Sequence, residues 1–158
     1  MTALWIWALV NDSIPPFEQM LVDLNIASTF EGKYRWKLRA DTLYDYGKTY
    51  VVYNLVLSFY EDGRVSSTIV ADSGIMDKAT RNMKALGNVV VATYDSIYLE
   101  TDILIWDEHR ERIYTEDTVL IIQGDRKVKG IGFESDPSLR HIVIRRQVYG
   151  EGRDRISE

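Results

Sequence analysis

Three aspartates recur at intervals of 31 and 30 residues, in Ala40-Asp41, Ala71-Asp72 and Thr101-Asp102, each with a second aspartate four or five positions on: Asp45, Asp77 and Asp107. Paired carboxylates are the working parts of glycoside hydrolysis, one acting as acid and the other as nucleophile or base. Asp72 or Asp102 would carry that chemistry in a solenoid-type carbohydrate-active enzyme. The regular interval favours a different use, since an aspartate that recurs with a structural unit accepts backbone N–H bonds at tight corners. His109 and His141 are the only histidines and stand in no metal-ligand spacing; with no cysteine present, thiolate metal sites, cysteine nucleophiles and disulfides are excluded. Gly124 to Gly132 lacks the Gly-Lys-Ser/Thr ending of a phosphate loop and reads as hairpin corners. No catalytic residue, metal or cofactor is expected.

The elements that would hold these residues are strands. The chain has 158 residues, enough for one domain with its own core, and its ten tyrosines and many valines and isoleucines suit a pleated, half-buried surface. Alternation of apolar and polar residues runs through Val22, Leu24 and Ile26, through Tyr34 to Ala40, and through Val51 to Phe59. It resumes at Val65 to Ala71, Asn88 to Thr93, Ile97 to Ile105 and Val119 to Ile121. Turns are expected at Asp62-Gly63, Asp95-Ser96 and Gly124-Asp125, and at most one short helix near Phe17 to Met20. A unit of about 30 residues that recurs three times predicts a stacked array in which each unit covers its neighbour's apolar face. The fold expected is all-β.

A net charge of −5 with no long basic block removes the electrostatic footprint of a nucleic-acid binder. Ile14-Pro15-Pro16 breaks what precedes it, so residues 1–20 form an N-terminal segment, 21–149 the β domain and 150–158 a polar tail without strand signal. Leu4 to Val10 is strongly apolar but shorter than the ~20 residues of a membrane span. Three readings stay open for it: the end of a membrane anchor, a packed leading strand, or an interfacial patch around Trp5 and Trp7.

The stretch from Ile113 to Ile144 holds a threonine-aspartate turn, a valine strand and then Gly130-Ile131-Gly132-Phe133-Glu134-Ser135-Asp136. It resembles the C-terminal signature of the LptC family of lipopolysaccharide-export proteins, and upstream units extend the resemblance over roughly residues 35 to 145. The resemblance implies a folded-over β-jellyroll of stacked antiparallel strands on the periplasmic side of the inner membrane, without enzyme activity. It implies lipopolysaccharide as ligand, received from an inner-membrane ABC transporter and passed to an LptA-like periplasmic bridge protein. A soluble bridge protein of the LptA type would share the same repeat. Strand parity maps the lipid-facing positions of such a groove to Leu55, Leu57, Phe59, Ile69, Val89, Val91, Leu99, Ile103, Val119 and Ile121; the same residues would equally form a closed core. The last strand, with Ile142, Ile144 and Arg146, is the expected edge for a partner. Arg140, Arg145 and Arg146 would there either meet lipid phosphates or guard the edge against aggregation.

Overall fold

The computed structural model describes residues Phe17 to Glu151, and Leu4 to Val10 and residues 152–158 of the polar tail lie outside them. Alternation translates into nine strands among the described residues: β1 (Gln19–Phe30), β2 (Lys33–Asp45), β3 (Thr49–Glu61), β4 (Arg64–Asp77), β5 (Met83–Thr93), β6 (Ile97–Asp107), β7 (Arg112–Gln123), β8 (Arg126–Ser135) and β9 (Val143–Glu151). They pair antiparallel in chain order as one sheet. The recurring 30-residue unit is a pair of strands. Tight turns join them where the backbone must enter the left-handed region: Glu31-Gly32 at φ 51° and 75°, and Asp62-Gly63 at 51° and 79°, both I′-like and matched to strand twist.

The short helix expected near Phe17 to Met20 is absent. Gln19 and Met20 instead open β1, opposite Asp45 and Tyr44 of β2, because a neighbouring strand satisfies their backbone groups better than one isolated helical turn would. At the other end β9 continues through Gly150 to Glu151, opposite Val128 and Lys127, two residues into the segment expected to be a tail.

A line of irregularities crosses the sheet at mid-strand. Asp23, Asn54, Gly87, Asn88 and Gly132 take φ of 51°, 54°, 81°, 47° and 77°. Register shifts interrupt the pairing of β4 with β5, β5 with β6, β6 with β7 and β7 with β8 near the same line. Bulges of this kind bend a strand sharply and can reverse which face its next residues present. In β2 the buried positions pass from Trp36, Leu38 and Ala40 to Leu43; in β3 from Val52 to Leu55, Leu57 and Phe59; in β6 from Leu99 and Thr101 to Leu104 and Trp106.

The sheet folds over along this crease. Phe59 on β3 and Trp106 on β6 have ring centroids 4.7 Å apart, although three strand spacings in a flat sheet would separate them by about 14 Å. The Trp36 indole on β2 likewise reaches Glu108, just past β6, at 2.8 Å. Each strand therefore gives one half to each of two facing layers, with the apolar core between them. This is the folded-over β-jellyroll.

Candidate functional site

The recurring aspartates do not converge. Asp41, Asp72 and Asp102 lie in the middle of β2, β4 and β6, not at strand ends, and all three are exposed along the outer side of the crease. Alternate strands place them about 10 Å apart in a row, facing away from the interior. Two are tied to the bulge residue of the following strand: Asn54 donates to Asp41 at 2.9 Å and Asn88 to Asp72 at 2.8 Å. The corner role falls instead to the second aspartate of each pair. Asp45 accepts the Gly47 N–H, Asp77 those of Ala79 and Thr80, and Asp107 that of Arg110, at 2.9 to 3.0 Å. His109 and His141 are exposed, and no cluster of potential metal ligands exists among the described residues.

The predicted apolar set faces the interior with one exception. Leu55, Leu57, Phe59, Ile69, Val89, Val91, Leu99, Val119 and Ile121 all belong to the buried core, Val89, Val91, Leu99 and Val119 being wholly inaccessible. Ile103 is only half-buried, because the bulge beside Asp102 reverses parity and sends Leu104 and Trp106 inward. Between the layers Leu38, Leu55, Ile69, Met76, Met83 and Leu104 line a cavity of about 20 Å³, room for one water. The interior side chains are packed against one another at 0 to 8% exposure, so the interior is filled by the core itself.

The segment Gly130 to Asp136 builds the last corner. Phe133 is 1% exposed and Ser135 fully buried, so both are core residues, whereas the Glu134 side chain is half-exposed and pairs with Arg110. A Cβ on Gly130 would lie 2.4 Å from a methyl carbon of Ile144, so glycine is what lets β9 close onto β8. Gly130 and Gly132 are therefore mid-strand residues, and only Gly124 of the glycine run sits in a hairpin turn. Asp136 then organises the loop before β9: its carboxylate accepts the N–H groups of Arg140 at 3.0 Å and His141 at 2.8 Å, and its carbonyl that of Leu139 at 3.1 Å. Held this way, Leu139 takes φ 57° and enters the core at 3% exposure. Ile142 and Ile144 pack partly buried against the core and Arg146 is exposed on β9, a terminal strand of the sheet.

Burial pushes the Asp136 carboxyl up, but the N–H of His141, the Ser135 hydroxyl and the N–H of Arg140 outweigh it and leave the pKa below the usual aspartate value. A carboxyl depressed in the folded state stabilises above its unfolded pKa, and that contribution is lost as pH falls from about 4 through the lower folded value. Protection of the Arg140 and His141 amides from hydrogen exchange, taken relative to the intrinsic rate at each pH, is therefore expected to fall in that acid range. Asp136→Asn should flatten the response; an unchanged acid step in that variant would place its origin elsewhere.

What sequence reasoning missed is the seam opposite the crease, where the free ends of the two layers meet. Glu108 is its centre. One carboxylate oxygen accepts from Arg35 Nη1 at 3.0 Å; the other accepts both the Trp36 and Trp106 indole N–H groups, each at 2.8 Å. Its own N–H is anchored on Asn82 Oδ1 at 2.9 Å, and Arg35 also pairs with Glu111. Further along, Glu61 accepts from the Ser138 hydroxyl at 3.1 Å and pairs with Arg140 at 2.8 Å. The hydrogen bonds that cross the seam link residues 72 to 77 apart in sequence, so no local pattern announces them. Between the two ties lies a cleft of about 250 Å³ lined by Arg35, Trp36, Phe59, Glu61, Trp106 and Ser138, among others.

Residues 25–151 match the family described as lipopolysaccharide-assembly, LptC-related. No curated protein sequence matches the chain. Among solved structures, similarity is found to the crystal structure of LptH, described as the LptA homologous periplasmic component of the conserved lipopolysaccharide transport device from Pseudomonas aeruginosa. That similarity has 11% identity, covers 81% of each chain and gives a TM-score of 0.28.

Proposed function

Because this chain belongs to the lipopolysaccharide-assembly, LptC-related family, we propose that it is a non-catalytic periplasmic component of lipopolysaccharide transport whose apolar interior receives the lipid's acyl chains. The observation that carries the reading is the family match over residues 25–151; the continuous apolar interior running between two layers supports it. Each methylene moved from water to that interior contributes ~0.8 kcal/mol, so several acyl chains supply ample driving force for transient opening of the sandwich. The lipid arrives from an inner-membrane ABC transporter and leaves to a periplasmic bridge protein of LptA type. Among the described residues the terminal strands β1 and β9 each have one unpaired side, the means by which one sheet continues into another. Work on the periplasmic side of the inner membrane follows. Among the described residues no helix is long and apolar enough to cross a membrane.

Methionine supplies the test. Of the four methionines, Met76 and Met83 line the interior at 4% and 8% exposure, whereas Met20 on β1 is 46% exposed. Replacing methionine metabolically with its photoreactive diazirine analogue and illuminating cells should give lipopolysaccharide adducts at Met76 and Met83. Adducts confined to Met20, or none, would exclude lipid from the interior.

A further inference from the structure

An interior filled by its own buried side chains cannot hold an acyl chain until the layers part, and the structure restricts where they can part. Along the crease every strand is covalently continuous. At the seam the ties among the described residues are side-chain contacts: Arg35, Trp36 and Trp106 on Glu108, Arg35 on Glu111, and Ser138 and Arg140 on Glu61. We propose that this seam is a lateral gate for acyl chains, and that Glu108 is its clasp, released when a phosphate group of the incoming lipid takes Arg35 from its glutamates. The inference rests on the lipid-transport reading and adds to it a path, a latch and a role for the headgroup.

Three features of the clasp suit it to the task. Glu108 receives bonds from both layers on one oxygen, so its withdrawal frees the Trp36 and Trp106 indoles together. Arg35 is the accessible member: its side chain is 32% exposed, against 12% for Glu108, and its other partner Glu111 is 60% exposed. The Arg35–Glu111 pair lies at the surface and contributes little to stability, and a guanidinium binds phosphate as readily as carboxylate. The exchange is therefore close to balanced, and apolar burial of the chain decides it. The cleft beside the clasp is lined by Trp36, Phe59 and Trp106, and Trp106 also lines the interior space that Leu38 and Leu57 border, so one ring separates the cleft from the core. The Glu61–Ser138 tie bounds its other side.

The absence of cysteine allows a direct test on the full chain. In the double variant Glu61→Cys, Arg140→Cys, a cleavable bifunctional thiosulfonate of ion-pair length locks the seam while Arg35 and Glu108 stay native. Interior photo-adducts at Met76 and Met83 with lipopolysaccharide should fall at least about tenfold in the locked protein and return when reductant cleaves the link. Equal labelling of locked and released protein, with strong labelling in both, would overturn the gate while leaving lipid transport intact. Absence of interior adducts in the unsubstituted protein would overturn the transport reading and the gate together.

Opening is followed separately by tryptophan emission in a Trp5→Phe, Trp7→Phe background, which leaves Trp36 and Trp106 as reporters. Lipopolysaccharide should red-shift the emission, and inorganic phosphate at equal phosphate concentration should not. A shift with phosphate alone would show a free-anion site and overturn the acyl-chain gate. Arg35→Gln should slow the lipopolysaccharide response at least about fivefold; an unchanged rate would remove the phosphate exchange from the proposal.

Discussion

Leu99→Lys abolishes the folded domain. The residue is fully inaccessible on β6, facing Val91 and Ile121 across the sheet, and nothing in the closed interior can pair an ammonium there. An isolated buried charge and the loss of a well-packed leucine together exceed about 4 kcal/mol, a large part of the 5 to 15 kcal/mol that stabilises a domain of this size. Urea unfolding followed by circular dichroism should show no cooperative transition, whereas Leu99→Met should cost less than about 1.5 kcal/mol. A lysine variant that unfolds near the parent midpoint would mean that Leu99 borders a water-filled groove, contrary to the packing described above. The distinction matters for transport studies, because loss of export in such a variant would report on folding and not on blockage of a conduit.

Phe133→Ala carries the second large effect, about 3 to 5 kcal/mol, from truncating a ring that is 1% exposed and paired on β8 against Thr115 and Ile144. Its neighbour provides the contrast. Glu134→Ala removes a half-exposed side chain whose ion pairs with Arg110 and Arg112 lie at the surface, and should cost no more than about 1 kcal/mol. Thermal melts of the two variants distinguish a corner-building role for the Gly-Ile-Gly-Phe-Glu-Ser-Asp segment from a contact role. Equal destabilisation by both, or greater loss with Glu134→Ala, would show that the segment's charge and not its packing sustains the fold. With Phe133 and Ser135 buried, Gly130 fitted beneath Ile144 and Asp136 holding the loop of Leu139, the segment reads as the means by which the sandwich ends and its seam is tied.

Strand content and repeat were legible in the residues because both are local. Period-2 alternation between turn formers specifies a half-buried strand wherever it lies, and Asp62-Gly63, Asp95-Ser96 and Gly124-Asp125 do join strands. The inward set Val89, Val91, Leu99, Val119 and Ile121 followed from the same alternation, since each lies on a stretch uninterrupted by a bulge. Ile103 did not, because one bulge between it and Leu99 reverses the face, and bulges are set by how strands pair, not by either strand alone. For the same reason the 30-residue interval was visible while its meaning was not. It marks the crease, with Asp41 and Asp72 bonded to bulge residues of the next strand, and it leaves corners to Asp45, Asp77 and Asp107.

By itself the sequence determined an all-β array with an apolar interior and the family to which it belongs, all of which rest on patterns a few residues to a few dozen residues long. Only the tertiary structure decided that the interior is filled by its own side chains and that Glu108 meets Arg35 and Trp36 across the seam. Those contacts exist because the bent sheet brings β2 over β6, and residues more than seventy positions apart leave no mark of their meeting until the chain has folded.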